Sequence, residues 1–396
     1  MSPAPATAHP LLRLGRLDLD PRLRGLRPGR DAADLVVTAA VPVPDSAGNP
    51  QYAFDVAWDD AVGQAISLGA QEGTAQALRR SSGDAVRGGG SRLVVAARGE
   101  ALLGQWVPAA DPALAGSLVR VGPLPHLTEA ASAVAARPAC VVVLADRDGA
   151  DIVAHDGGRE QPAERFTVGD RARSASADHH DDLPPAQHHG ERHVTDSEPI
   201  SGGQSNAVAI AAVISDAAAK VGAHIVLGAG DQHILAAANG HLAPALGPIT
   251  AIAGARAPGG GDEHVRPAAD AALDQITGAA VAAVGELIGS RAQGAAPGAV
   301  RGIAAVAEQL AEQQVAVLLV AADIAADPAA ADIYRIGIRP TELLGGDAAV
   351  GVAVPLEDGL VWAALQQDAI VVQLPDRVGP LAGEPVAALL RRGGTA

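Results

Sequence analysis

The sequence is poor in the residue types that most often mark a function. Among 396 residues there is one cysteine, Cys140, and aromatic side chains make up 2% of the chain. A single cysteine excludes an intramolecular disulfide and a cysteine-based zinc cluster. Because Cys140 opens the apolar run 140–145, we predict a buried, unreactive thiol. The cores must be built from Ala, Val, Leu and Ile.

Long apolar runs are also scarce. No segment approaches the ~18 consecutive apolar residues of a membrane span, and the N-terminal residues lack the apolar stretch of a signal peptide. We therefore expect a soluble, cytoplasmic protein with no membrane partner.

Positive charge is scarce as well. Lys220 is the only lysine among 29 basic residues, and the net charge is −16. Phosphate binding needs clustered positive charge, so this balance argues against DNA as a partner. It does not exclude an RNA partner that is contacted through a few local arginines.

The chain is too long for one core and suits two or three domains. We predict an α/β protein of three domains, which cover residues 1–136, 137–292 and 293–396. Residues 1–50 are rich in proline and arginine. They are expected to form a partly ordered basic arm, with contact to RNA as the alternative.

Local patterns predict the elements of the N-terminal and middle domains. Apolar residues recur at helical spacing from Trp58 and predict one helix that reaches about Arg79. In the middle domain, Arg137-Pro138 marks the start, a polar loop covers 169–203, and Asp231 is expected to cap a helix. The other predicted features are a hairpin over 92–106, a helix over 128–136, strands at 139–145, 150–155 and 223–229, helices at 204–221 and 267–290, and a flexible break at 254–263.

The C-terminal domain shows an alternating pattern. The helical stretch 300–313 precedes the apolar strand 315–320, and the acidic helix start at Glu357 precedes a strand at 369–372. We predict a one-turn helix within 384–392 as the last element.

This α/β/α ending resembles the C-terminal domain of the archaeal and eukaryotic class-1 peptide release factors and of Pelota. The sequence Asp148-Gly149-Ala150-Asp151, followed by a variable loop and a long helix, resembles the RNase H-like middle domain of the same superfamily. The hairpin and residues 122–127 resemble the N-terminal α/β domain of an actinobacterial branch that is similar to the Balon ribosome hibernation factor.

The resemblance implies a ribosome-binding factor that occupies the A site of idle ribosomes during hibernation or stress. The implied contacts are the rRNA of the decoding centre and of the peptidyl transferase centre, with an EF-Tu-type elongation factor as a further partner. It implies no cofactor and no metal. A module that kept the fold and lost its RNA surface is an alternative that the net charge of −16 favours.

The tripeptide Gly202-Gly203-Gln204 raises the question of catalysis. Release factors use a Gly-Gly-Gln motif in the peptidyl transferase centre, where glutamine positions the hydrolytic water. Here Ser205 and Asn206 follow in place of the arginine-rich start of the family. Chance matches are common in a chain with 46 glycines. We favour a helix-start role, with peptidyl-tRNA hydrolysis through these three residues as the alternative.

The polar loop is rich in histidine. Five of the 12 histidines fall within fifteen residues between His179 and His193. A solvated loop is the favoured interpretation, and a metal-binding loop is an alternative. A third interpretation is an rRNA-contacting loop, and its candidate contact residues are Arg171, Arg173, His188, His189, Arg192 and His193.

Overall fold

The computed structural model describes residues 10–29, 31, 34–43, 49–83, 90–108, 116–157, 163–169, 192–193, 203–257, 262–292, 298–327, 334–337, 339, 341–345 and 351–391. These residues form two compact units. One holds Arg137–Ala279 with the first described residues, 10–13, and the other holds Leu14–Ala136 with the described residues from Ala280 onward. Both are mixed α/β, as the sequence predicts.

The elements are numbered in chain order. The helices are α1 (Pro21–Arg24), α2 (Pro50–Ser67), α3 (Glu72–Arg79), α4 (Thr128–Ala135), α5 (Gly203–Val221), α6 (Gln232–Asn239), α7 (Arg266–Ala292), α8 (Ile303–Ala311) and α9 (Leu356–Leu365). The strands are β1 (Val36–Pro42), β2 (Gly90–Ala97), β3 (Glu100–Pro108), β4 (Leu118–Gly122), β5 (Cys140–Asp146), β6 (Gly149–His155), β7 (Glu164–Gly169), β8 (Arg192–His193), β9 (Ile225–Gly230), β10 (Thr250–Ala251), β11 (Ala299–Arg301), β12 (Val315–Ala321), β13 (Tyr334–Ile336), β14 (Leu343–Leu344), β15 (Val352–Val354), β16 (Ile370–Leu374) and β17 (Val386–Leu390).

The unit that begins at Arg137 is built on one sheet covered on both faces. Its strand order is β10-β9-β5-β6-β7-β8, with β5 parallel to β9 and antiparallel to β6. Side chains alternate along a strand, so Val141 and Val143 pack with Ile210 of α5, while Val142 and the thiol of Cys140 lie in the core that includes Leu273 of α7. Burial on both faces explains why β5 reads as a continuous apolar run.

The other unit contains three sheets. Their orders are β3-β2-β1-β4, β11-β17-β12-β16 and β14-β13-β15. One hydrophobic core runs from Leu17 to Leu390 and includes Trp362 of α9. A second core lies under α2, where the rings of Phe54 and Trp58 stand 5.7 Å apart.

Two predicted helices are corrected. The single helix from Trp58 to Arg79 is two helices, because α2 ends in a Schellman turn: Gly69 takes φ +98° and Ala70 N–H donates to Ala65 O at 2.9 Å. The one-turn helix within 384–392 is wrong, since Val386–Leu390 is strand β17. All five residues of β17 are buried, and a short apolar run of this kind has no periodicity that separates strand from helix.

Two other segments differ from expectation. In the region predicted to be an arm, Leu17, Leu19 and Leu23 are buried in the large core. Within the described residues, one helix is long and apolar enough to cross a membrane: Arg266–Arg291 has a mean hydropathy of 1.3, with 33% of the window buried. One such helix is weak evidence, because core helices of soluble proteins meet the same criteria.

Candidate functional site

One edge of the six-stranded sheet gathers the features that the sequence singled out. At this edge β5 ends at Asp146, β6 begins at Gly149 and β7 ends at Gly169. Gly149 and Gly169 are paired, and each has a positive φ, +151° and +104°. A Cβ on Gly169 would lie 2.1 Å from the carbonyl oxygen of Asp148. Glycine is therefore required where the chain enters the polar loop.

A buried arginine, Arg256, forms hydrogen bonds at the same edge of the sheet. The Arg256 side chain is fully buried, and its Nε and Nη2 donate to the two carboxylate oxygens of Asp151 at 2.9 and 3.0 Å. Nη1 donates to Asp146 at 3.0 Å, and the Thr167 hydroxyl donates to Asp151 at 3.1 Å. Burial alone would lower the pKa of Arg256, but the hydrogen bonds to Asp151 and Asp146 outweigh it and raise the pKa. The cluster joins β5, β6 and β7 to the segment after β10.

The predicted tripeptide lies at the start of a helix. Gly203 and Gln204 are the first two residues of α5, and Gly202 lies outside the described residues. The helix predicted to begin at Gln204 begins one residue earlier, at Gly203. Whether the tripeptide is catalytic stays a prediction.

The predicted rRNA-contacting residues are only partly among the described residues. Arg192 and His193 form β8, which pairs in parallel with Phe166 and Thr167 of β7. Arg171, Arg173, His188 and His189 lie outside the described part of the chain. The structure therefore places two of the six on the sheet and leaves their common role a prediction.

The opposite edge of the sheet holds the lone cysteine. Burial raises the pKa of the Cys140 thiol to about 12, helped by the negative charge of Asp262. His155, the strand partner of Cys140, bonds Asp262 through Nε2 at 2.9 Å. Burial would raise the pKa of Asp262, yet the hydrogen bond from His155 lowers it. The prediction that Cys140 is buried is confirmed. A thiol held in its neutral form is a poor nucleophile, and the low reactivity of Cys140 stays a prediction.

The unit that includes α9 contains a second polar cluster. It consists of His126, just before α4, Glu129 in the first turn of α4, and Glu357 and Asp358 in the first turn of α9. His126 Nδ1 lies 2.6 Å from Asp358 Oδ1, and Nε2 lies 2.9 and 3.1 Å from the two oxygens of Glu129. We call these four residues the His126 cluster.

Within the His126 cluster the histidine is buried and the three acidic residues are partly buried. Burial alone would lower the pKa of His126, but hydrogen bonds to Asp358 and Glu129 raise it to about 10. Burial raises the pKa of Glu357. Burial would also raise the pKa of Glu129, but the hydrogen bond from His126 lowers it. The cluster thus contains an imidazolium between two carboxylates, with a third carboxyl beside them.

Sequence reasoning missed the partners in both polar clusters. Asp151 was noted in the Asp-Gly-Ala-Asp sequence, but Arg256 lay in a stretch interpreted as a flexible break. The signal was a lone arginine between Gly254 and the following glycine run. For the His126 cluster, the sequence shows His126 and Glu129 at i,i+3 spacing. No local pattern links this pair to Glu357 and Asp358, about 230 positions away.

One family model matches the middle part of the chain. Residues 139–291 match the model described as Bacterial archaeo-eukaryotic release factor family 2. The predicted resemblance to the release-factor superfamily is confirmed over this segment, which is less than half of the chain, and the link to Balon stays a prediction. A comparison with curated proteins found no significant match.

Solved structures of the same superfamily are similar to the chain. Pelota from Archaeoglobus fulgidus is 15% identical over 77% of this chain and 80% of its own, with a TM-score of 0.32. An archaeal translation termination factor, aRF1, is 14% identical over 90% and 92%, with a TM-score of 0.21. A chain from a structure of ribosome-bound archaeal Pelota and ABCE1 is 13% identical over 95% and 95%, with a TM-score of 0.38.

Proposed function

We propose that this protein is a cytoplasmic ribosome-binding factor of the release-factor superfamily that occupies the A site of idle ribosomes as a hibernation or stress factor. The observation that carries the proposal is the family match over residues 139–291. The proposed partners are rRNA of the decoding and peptidyl transferase centres and an EF-Tu-type elongation factor. Division into three domains, at 1–136, 137–292 and 293–396, is part of the proposal.

A non-catalytic role is favoured by the position of Gly203 and Gln204. Both lie in the first turn of α5, where backbone groups follow helical geometry. A hydrolytic glutamine must reach an ester bond in the peptidyl transferase centre, which a residue at a loop tip does more readily. Peptidyl-tRNA hydrolysis through Gly202, Gly203 and Gln204 is the competing function, because the tripeptide belongs to the matched domain.

Because the net charge is −16, RNA phosphates must be contacted by a surface with local positive charge. We propose that it is the polar loop, with Arg171, Arg173 and Arg192 meeting phosphates and His188, His189 and His193 bonding or stacking on bases. Gly149 and Gly169, together with Arg256, would fix the strand ends from which the loop departs. This local positive charge is compatible with an acidic surface elsewhere.

The test is pelleting of the purified protein with 70S ribosomes through sucrose. Vacant ribosomes and ribosomes with peptidyl-tRNA in the P site are compared, and released peptide is measured in parallel. The variant is Gln204→Ala. Gln232→Ala is the matched control. Gln232 is the first residue of α6, as Gln204 is the second residue of α5, and the Gln232 side chain is exposed.

Binding to vacant ribosomes that is unchanged by Gln204→Ala, without peptide release, supports the proposal. Peptide release that Gln204→Ala abolishes and Gln232→Ala preserves would replace it with the hydrolase. Absence of pelleting at low salt would contradict both functions.

Salt dependence tests the binding surface. Each phosphate contact contributes about one unit to the slope of log affinity against log salt. Replacing Arg171, Arg173 and Arg192 together by alanine is expected to reduce this slope by about two to three. The control replaces Arg79, Arg80 and Arg339, which are exposed in the other unit and lie outside the basic arm, and should leave the slope unchanged.

A further inference from the structure

The His126 cluster has more hydrogen-bond acceptors than donors. Its three carboxyl groups face the two N–H groups of one imidazolium. Nε2 carries one hydrogen, yet both oxygens of Glu129 lie within 3.1 Å of it, and Oε2 of Glu129 is buried without a hydrogen bond of good geometry to any described residue. Buried carboxylate oxygens are normally satisfied, so this oxygen could take a cation as a partner in addition to His126 and the nearby charge of Arg120.

The hydroxyl of Thr128 gives a second, independent indication. Thr128 is fully buried at the first position of α4. Burial raises the pKa of Glu357, and a side-chain hydrogen bond of loose geometry with Thr128 Oγ1 opposes that rise. Buried hydroxyls normally have well-formed hydrogen bonds, and a cation in the cluster would give this oxygen a further partner.

The ligand atoms are close enough to share one ion. One ligand atom each from His126, Glu129 and Glu357 lies within 4.8 Å of the other two. Ligands on a common zinc ion at about 2.0–2.1 Å stand roughly 3.0–3.4 Å apart. The 2.9 Å between His126 Nε2 and Glu129 Oε2 is already near that spacing, and rotation of the Glu357 side chain would supply the third ligand.

Asp358 takes the place of a supporting residue. It accepts a hydrogen bond from His126 Nδ1 at 2.6 Å, which leaves Nε2 directed toward Glu129. Histidine ligands of metals usually donate their second ring N–H to a carboxylate, which fixes the tautomer and raises ligand basicity. Two glutamates, one histidine and a supporting aspartate form a donor set suited to a divalent transition metal.

We infer that His126, Glu129 and Glu357 form a binding site for a divalent transition-metal cation, zinc being the preferred probe, with Asp358 orienting the histidine. Binding replaces the proton on Nε2, and any proton on Glu357, by the cation, and the protons are released to solvent. The ion would link the start of α4 to the start of α9. Without the ion, the protonated His126 ring would supply the positive charge between the carboxylates.

The experiment measures zinc bound per full-length chain after chelator treatment, zinc addition and gel filtration. Glu357→Gln removes a ligand while it leaves both partners of His126 in place. Glu308→Gln is the matched control, because Glu308 is exposed on α8 of the same unit. His188→Ala/His189→Ala controls for zinc held by the histidine-rich loop.

We expect the wild type, Glu308→Gln and the loop variant to retain one equivalent of zinc more than Glu357→Gln does. Zinc should raise the melting temperature of these three proteins and leave that of Glu357→Gln unchanged. Asp358→Asn should weaken zinc binding by about 10- to 100-fold. Apparent affinity should fall as pH falls, because Nε2 must lose its proton.

Equal zinc in Glu357→Gln and the wild type would overturn the inference, as would a wild type that binds zinc only through His188 and His189. Circular dichroism without zinc shows whether Glu357→Gln folds. If it does not, Glu129→Gln is measured in its place, and zinc retention by that variant would also overturn the inference.

Discussion

Replacing Arg256 by alanine is expected to destabilise the sheet at the edge where the polar loop begins. The substitution removes three hydrogen bonds to Asp151 and Asp146. It also removes the guanidinium charge that lies against the Asp151 carboxylate, whose side chain is 7% exposed. The Thr167 hydroxyl would still donate to this carboxylate.

The magnitude follows from the burial of both partners. Removing one partner of a buried ion pair costs about 3–5 kcal/mol, because the other charge is left uncompensated. Arg256→Lys keeps the charge but cannot form the two-pronged contact with Asp151, so its cost should be smaller. Arg165→Ala is the control. Arg165 is 39% exposed, pairs with Glu263 on the surface at 2.8 Å and makes only a long contact of 3.9 Å with Asp262. Exposed pairs contribute about 0–1 kcal/mol.

Urea unfolding of the full chain, followed by circular dichroism, gives the free energies of unfolding. Hydrogen exchange locates the change, which is expected in peptides from β5, β6 and β7. Equal losses for Arg256→Ala and Arg165→Ala would refute the argument, because they would mean that burial of the pair does not decide its contribution.

Three further predictions follow from local geometry. Gly230→Ala should lower the free energy of unfolding in urea by at least about 1–2 kcal/mol more than Gly222→Ala does. Both glycines have positive φ, but only a Cβ on Gly230 would meet a backbone oxygen, at 2.0 Å. Equal losses for the two variants would contradict this prediction. The pKa of His126 rises from 6.5 to about 10 on folding. Protonated His126 should therefore stabilise the folded state fully below about pH 6.5, and this contribution to the free energy of unfolding should be lost as the pH rises toward about 10. His126→Gln should remove this part of the pH dependence of unfolding. Cys140, with a pKa of about 12 and burial in the core, should react with a thiol reagent only after urea unfolds the protein, and rapid labelling of the native chain would disprove its burial.

Sequence reasoning succeeded where periodicity or turn chemistry is local. The hairpin over 92–106 is formed by β2 and β3 around a turn at Arg98 and Gly99. Asp231 caps α6, accepting from His233 N–H at 2.9 Å. The helix predicted at 204–221 is α5, because its apolar residues recur at helical spacing against one face of the sheet.

Sequence reasoning failed where distant residues decide the structure. Arg256 is buried because two aspartates of the β5–β6 hairpin meet it 105 and 110 positions away. His126 and Asp358 are 232 positions apart. Pairings of this kind depend on how strands and helices assemble, and the sequence pattern around each residue carries no information about them.

Strand β17 has a consequence for the order in which the protein acquires its structure. It lies between β11 and β12, pairing with Ala299–Arg301 on one side and with Val315–Val320 on the other. During synthesis β11 and β12 therefore emerge about 85 and about 65 residues before β17, the strand that lies between them. Until Val386–Leu390 has left the ribosomal exit tunnel, both carry unpaired backbone edges, and a nascent chain paused before this point needs protection from aggregation.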